Sequence, residues 1–275
     1  MLSKQDISRI YHEAYLPEHL PDYVSAISGA SPFLHGNYLC LTQQRHLILI
    51  GYPLGDQTSD LSVYYKNICD RFQPDAVSII APELGFIHDQ TIAISKDNYV
   101  VLDLPLANIS PDVAYMLRRA RRELDVRQGT FTEEHRGIIE EFIAAHDLSE
   151  AHKRVFKNIS KYLEKSSSAC LLEARRGGAL AAFTIVDLGA EDFAFYLFNF
   201  RSSKIKCPGA SDLLFYEMIC LAQQAGKKTL NLGLGVNEGI LRFKQKWGCR
   251  PFLPYETAIL PSKRSAWGMF KNIFR

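Results

Sequence analysis

Long hydrophobic runs are missing from this sequence: none reaches the roughly 18 apolar residues that a membrane-spanning helix needs. A surplus of one charge is missing too. Lys and Arg number 32 against 30 Asp and Glu, a net charge of +2 over 275 residues, which neither demands nor excludes an acidic partner. No two cysteines are spaced as CxxC. The six, at positions 40, 69, 170, 207, 220 and 249, lie far apart and mostly among apolar residues, which implies reduced core thiols in a cytoplasmic protein. No spacing of His, Cys, Asp and Glu suits a metal, so none is expected. The start, MLSKQDISRIYHEAYLPEHL, is polar and carries acids, and reads as neither a signal nor a transit peptide. No serine-histidine-acid set stands out among the eight histidines; His146 and His152 flank a helix boundary, a structural position.

What is present is a globular composition, 47% hydrophobic and 23% charged, with a length that suits one large domain or two ordinary ones. NYLCLT and HLILIGYPLG read as strands around a short turn. Ser59 opens a helix in which Leu61, Tyr65, Ile68 and Phe72 recur at helical spacing, and Gln73-Pro74 stops it. AVSIIAPE is a short strand. TIAIS and YVVLDLPL read as a strand pair joined by a Lys96-Asp97-Asn98 turn. Ser110-Pro111-Asp112 is a strong helix start. The helix it opens, PDVAYMLRRARRELDV, carries Arg118, Arg119, Arg121 and Arg122. Two readings compete: a solvated helical face, or an anion-binding patch for a phosphate-bearing substrate or RNA. MLRRARREL has no interleaved aromatics and no nucleic-acid motif.

The rhythm restarts near Gly129, which divides the chain into residues 1–127 and 128–275. Thr132 caps a helix with an acidic first turn, and a second helix covers about 149–165. ACLLEAR, ALAAFTIVD and FAFYLFNF follow as strands; the last is apolar on both faces, as a covered central strand should be. DLLFYEMICLAQQAG is a long helix with Ser211 placed to cap it and Gly226 to end it. The strand KTLNLGLG, the helix EGILRFKQKW and a strand around FLPYETAIL close the order.

Gly233, Gly235 and Gly239 sit where a strand meets a helix, as in a dinucleotide-binding turn. The spacing is GxGxxxG, however, and too little chain follows for the second parallel strand and its acid. A nicotinamide or flavin site is therefore not expected.

The element order resembles the GNAT acyltransferase superfamily, within it the Fem-type peptidyltransferases, and especially the C-terminal domain of the phosphatidylglycerol lysyltransferases. CPGASDLLFYEMICLAQQAGKKTLNLGLG followed by EGILRFKQKWG carries the resemblance, with support from MLRRARREL, EEHRGIIEEFI, LLEARRGGALAAF and LILIGYPLG. It implies an α/β chain of mixed sheets arranged as two GNAT-like lobes in tandem, the second lobe holding the active site. It also implies transfer of an acyl or aminoacyl group to an amine or hydroxyl acceptor on a small molecule, peptide or lipid. The donor would be acyl-coenzyme A or aminoacyl-tRNA, used as co-substrate rather than held as a cofactor. A catalytically silent binding or scaffold protein of the same fold is the rival.

In such a fold two parallel strands, here FAFYLFNF and KTLNLGLG, splay to hold the donor. The loop before the long helix then offers backbone N–H groups to a pyrophosphate. Lys206, Gly209, Ala210 and Ser211 occupy that loop, although Pro208 removes one donor from it. Asn199, Asn231 and Gly233 are further donor-binding candidates. Lys244, in a Phe-Lys pair, is the candidate carbonyl polariser, with a solvated basic face formed with Lys246 as the competing account. Glu238 is a candidate base, although an acid in a first helical turn also favours the helix dipole. Tyr196 is a catalytic candidate; simple alternation puts it on the opposite face from Asn199. Arg242 and Phe243 are candidates for substrate contact. The tail SKRSAWGMFKNIFR, residues 262–275, mixes basic and aromatic residues, as a membrane-surface segment or a docked helix would.

Overall fold

The computed structural model describes residues 2–55, 60–89 and 92–261. Helices α1 (Lys4–Glu13) and α2 (Pro21–Ser28) come first, with a 3-10 turn (Pro17–His19) between them. Ser3 and Asp6 form a capping box at α1, and Pro21 opens α2. An antiparallel run follows, of β1 (Ser31–His35), β2 (Tyr38–Gln43) and β3 (His46–Ile50). Helix α3 (Leu61–Phe72), capped by the Asp60 carboxylate, crosses to β4 (Ala76–Ala81), which lies parallel to β3. Next come β5 (Ser95–Asp103), α4 (Pro111–Ala120) and β6 (Asp125–Gly129). Helices α5 (Glu133–Ala145), α6 (Glu150–Lys157) and α7 (Ile159–Lys165) lead to three antiparallel strands, β7 (Ala169–Arg176), β8 (Ala179–Asp187) and β9 (Phe193–Arg201). Helix α8 (Ala210–Gln224) crosses to β10 (Thr229–Leu234), parallel to β9, and α9 (Glu238–Gln245) leads to β11 (Arg250–Pro261).

Among the described residues all eleven strands form one sheet, in the order β1-β2-β3-β4-β11-β5-β10-β9-β8-β7-β6. The parallel pairs β3–β4 and β9–β10 flank the centre, and the two middle strands are exchanged. β5 precedes all of β6–β10 in the chain yet pairs with β10, whereas β11, the last strand, pairs with β4. β5 and β11 pair with each other. Alternate residues of β5 and β10 feed cores on opposite faces. Val100, Leu102, Leu230 and Leu232 join Phe215 and Met218 of α8 on one face, while Tyr99 and Leu234 join Ile10 of α1 and Val24 of α2 on the other.

Several elements differ from expectation. Lys96-Asp97-Asn98 is not a turn: β5 runs through it because β11 pairs with residues 95–98, and Lys96 forms an ion pair with Glu256 of β11. Helix 149–165 is two helices broken at Asn158, whose side-chain amide donates to the Ile27 carbonyl. Helix α8 is capped by Gly209 in the left-handed region rather than by Ser211. Ser59 and the 262–275 tail lie outside the described residues. No described helix is long and apolar enough to cross a membrane.

Candidate active site

The parallel pair β9–β10 is short. It holds only over Phe193–Phe195 and Thr229–Asn231; beyond these residues the strands separate. β10 also shifts register against β5 between Asn231 and Leu234, with Gly233 at φ 72. Asn231, fully buried, makes this bulge: its Oδ1 accepts the Gly233 N–H at 2.8 Å, and its Nδ2 donates to the Tyr15 carbonyl at 2.8 Å. Its contacts are therefore to backbone. Asp97 secures the next step, accepting the Gly235 N–H at 3.2 Å and the Val236 N–H at 2.8 Å. A Cβ on Gly235 would sit 2.9 Å from the Asp97 Oδ1, so a larger residue here would push the carboxylate off the backbone N–H groups it accepts. A Lys-Asp-Asn run looks like a turn, which hides this role of Asp97 in the sequence.

Lys244 lies on α9 and is buried, only 3% exposed. Its Nζ donates to the carbonyls of Leu232 at 2.6 Å and Leu234 at 2.5 Å, on the stretch of β10 that β9 no longer accompanies. Burial pushes its ammonium down to about 8, against weaker upward pulls from Cys249 and Asp97. It is no part of a solvated face. Lys246, the expected exposed neighbour, forms an ion pair with the buried carboxylate of Asp212 and lies 4.5 Å above the Phe243 ring. Phe243 and Trp247 pack on Phe215 of α8 at ring distances of 5.3 and 5.0 Å, which seats α9 against the sheet. Phe243 thus anchors the helix. Glu238 and Arg242 pair with each other at 2.9 Å in exposed positions, one turn apart.

Tyr196 and Asn199 share a face, contrary to simple alternation. The β8–β9 ladder pairs Val186 with Tyr196 but Ile185 with Phe198, so Leu197 is an extra residue that resets the period. Both side chains consequently meet α8: Tyr196 packs edge-on to Phe215 at 5.4 Å, and Asn199 Oδ1 accepts the Ser211 hydroxyl at 3.0 Å. The Asn199 Nδ2 group is buried without a partner. Burial, reinforced by Asp212, raises the Tyr196 phenol well above its ordinary range and keeps it protonated.

The loop before α8 leaves Lys206 exposed and sets Gly209 at φ 84. A Cβ on Gly209 would lie 3.0 Å from the Met116 carbonyl of α4, so the glycine serves close packing as well as the turn. Ala210 is buried, and Asp212 adds a carboxylate to the first turn of α8. That carboxylate is paired with Lys246, so it is Pro208, which lacks an N–H, that weakens this helix start as a pyrophosphate cradle.

One histidine does meet a hydroxyl and an acid. His135 Nδ1 lies 2.9 Å from the Thr132 hydroxyl and its Nε2 lies 3.2 Å from Glu173. The ring is fully buried and Thr132 caps α5, so the trio closes a helix rather than serving a substrate. No group of metal-ligating residues occurs among the described residues.

The fold, with its exchanged middle strands and parting parallel pair, is similar to that of tandem GNAT-like proteins. Solved structures bear this out. The C-terminal domain of a protein from Agrobacterium fabrum assigned as a lysylphosphatidylglycerol synthetase superposes with a TM-score of 0.61 at 16% identity, covering 97% of this chain and 95% of that one. FemX superposes with a TM-score of 0.62 at 11% identity, covering 93% and 96%. A tandem GNAT protein from the clavulanic acid biosynthesis pathway gives 0.52 at 10% identity, covering 82% and 78%. No family model matches the sequence, and no curated protein does either.

Proposed function

We propose that this chain transfers an acyl or aminoacyl group to an amine or hydroxyl acceptor, with the reacting carbonyl held where β9 and β10 part. The observation that carries this reading is Lys244, a buried cation at the two β10 carbonyls that follow the separation. A lysine ammonium has three N–H donors, and two are spent on Leu232 and Leu234. The third is available to the carbonyl oxygen on which negative charge develops during attack. As the acceptor attacks and the bond to the leaving group breaks, Tyr196, protonated by virtue of its burial, gives its proton to the leaving group and takes up the one the acceptor loses, so the phenol is restored. The unpartnered Asn199 amide contacts the donor. In this reading residues 128–275 form the lobe with the site, and residues 1–127 form the lobe that lends it β5.

Between donors, the loop favours an aminoacyl ester over coenzyme A. Lys206, Gly209, Ala210 and Ser211 line it, but Pro208 lacks the N–H that a pyrophosphate would take there. The acceptor is a small molecule, a peptide or a lipid, the last bringing the protein to a membrane surface. The test is to offer the purified chain labelled acyl-coenzyme A and labelled aminoacyl-tRNA with a panel of amine and hydroxyl acceptors, including lipid vesicles. Transfer from one donor, cut at least about a hundredfold by Lys244→Met, supports the reading. Absence of both transfer and donor binding would leave a silent scaffold of the same fold.

A further inference from the structure

In the half of the sheet formed by β2, β3, β4 and β11, one face is left largely bare among the described residues. On the opposite face Leu49, Ile79 and Leu260 are buried beneath Ile68 of α3 and Leu84. On the bare one, α1 and α2 bury Leu39, Leu41 and Ile50 and cover the remainder partly or not at all. Past those residues the ladders set Ile259 of β11 beside Ser78 of β4 and Ile48 of β3, and Pro261 beside Ala76 and His46 in the next row. None of these six is buried, and Ile259 is 67% exposed. Its neighbours in the strand, Ala258 and Leu260, are buried, so the exposure belongs to the face and not to a frayed strand. A sheet face covered only by water is expected to be polar. Here none of the six is Lys, Arg, Asp or Glu, and four are apolar.

The chain leaves this face at Pro261 and continues as SKRSAWGMFKNIFR. On a helical wheel Trp267, Phe270, Ile273 and Phe274 fall in one half, and Lys271, Asn272 and Arg275 in the other. We propose that residues 262–275 fold back as an amphipathic helix and close the bare face, with Trp267, Phe270 and Phe274 against Ile259 and Ile48. The dimensions agree: ten helical residues span about 15 Å, and the three strand spacings from β11 to β2 span about 14 Å. Residues 262–265 are a tether short enough to hold the two apolar surfaces at an effective concentration of roughly mM. A membrane surface or a second copy of the chain would have to displace an apolar partner already tied to the strand. None of these residues belongs to β9, β10 or α9, so the docking stands or falls apart from the transfer chemistry.

Trp267 is one of only two tryptophans in the chain, the other being the buried Trp247. Subtracting the emission of Trp267→Phe from that of the full chain therefore isolates Trp267. Docking predicts a blue-shifted difference spectrum, quenched by acrylamide severalfold less than after unfolding in urea. Ile259→Asp should shift that spectrum to the red and restore the quenching. A chain ending at Pro261 should unfold with a smaller urea m-value, because its fold buries less surface. In that shorter chain Ile259→Asp should lose most of its cost in stability, since the contacts it breaks are already gone. A Trp267 as quenchable as in the unfolded chain, with an m-value unchanged by the truncation, would overturn the proposal. So would protection seen only with phosphatidylglycerol vesicles, which would assign the segment to a lipid surface. Protection that rises with protein concentration as the sedimenting mass doubles would overturn it in favour of a second copy of the chain.

Discussion

The environment of Lys244 makes a prediction that needs no substrate. Its ammonium is held near 8 in the folded chain against 10.5 for a free lysine, a difference of about 2.5 units caused chiefly by burial. At 1.36 kcal/mol per unit this is about 3 kcal/mol by which the fold prefers the neutral amine. The folded state is the weaker proton binder, so below pH 8 the protein carries the full cost of the buried charge. That cost disappears as the pH rises from 8 to 10.5. The neutral amine keeps two N–H donors for Leu232 and Leu234, so the backbone contacts survive the titration and only the charge is lost. Lys244→Met has no charge to lose. Urea unfolding of both proteins across this range should therefore show the parent gaining about 3 kcal/mol over the variant, while tyrosines and cysteines that titrate in both cancel. A difference that stays flat with pH would mean the lysine is hydrated in solution, and its assignment as a preset cation on the acyl carbonyl would fall with it.

Lys246→Met should destabilise the protein, because it strands the buried Asp212 carboxylate. Lys246 is about one-third exposed, so the loss falls below the roughly 3–5 kcal/mol of a fully buried pair, and adding Asp212→Asn should restore much of it in thermal melts. His19, buried with its Nε2 3.0 Å from the Tyr52 carbonyl oxygen, is held down at about 4 by desolvation, so it stays neutral in the fold. Its contribution of about 3 kcal/mol is complete above pH 6.5 and drains away toward pH 4, and His19→Gln should flatten that acid limb of the stability curve. Residues 128–275 expressed alone should show poorly dispersed NMR spectra, since β10 then lacks β5 and β11 lacks β4. A well-dispersed spectrum from that fragment would show the exchanged strands to be dispensable.

Local chemistry was legible in the sequence and long-range pairing was not. Ser110 at α4 and Thr132 at α5 cap where side-chain chemistry places them, and the strand-to-helix joint at 230–248 is where the glycines put it. Lys96-Asp97-Asn98 misled because its residues favour turns, and only the distant β11 holds them extended. Simple alternation sets Tyr196 and Asn199 on opposite faces because a single inserted residue, Leu197, leaves no mark on composition. The burial of Lys244 was hidden for a different reason. Lys244 and Lys246 are both lysines on one short amphipathic segment, and what separates them is whether the nearest acceptors are the carbonyls of a broken ladder or the carboxylate of α8.

The exchange of β5 and β11 also sets a timetable. During synthesis the first ten strands emerge before β11, and until then β4 and β5 face each other across an unfilled gap at the centre of the sheet. Each exposes a row of unpaired N–H and C=O groups to any passing strand in that interval. On the ribosome the N-terminal portion therefore cannot finish folding when its own residues are out; it waits for residues 250–261 to be inserted. Premature termination or a slow stretch of translation late in the message would thus expose a central seam rather than a sheet edge, and holdase chaperones should bind nascent chains most strongly at that stage.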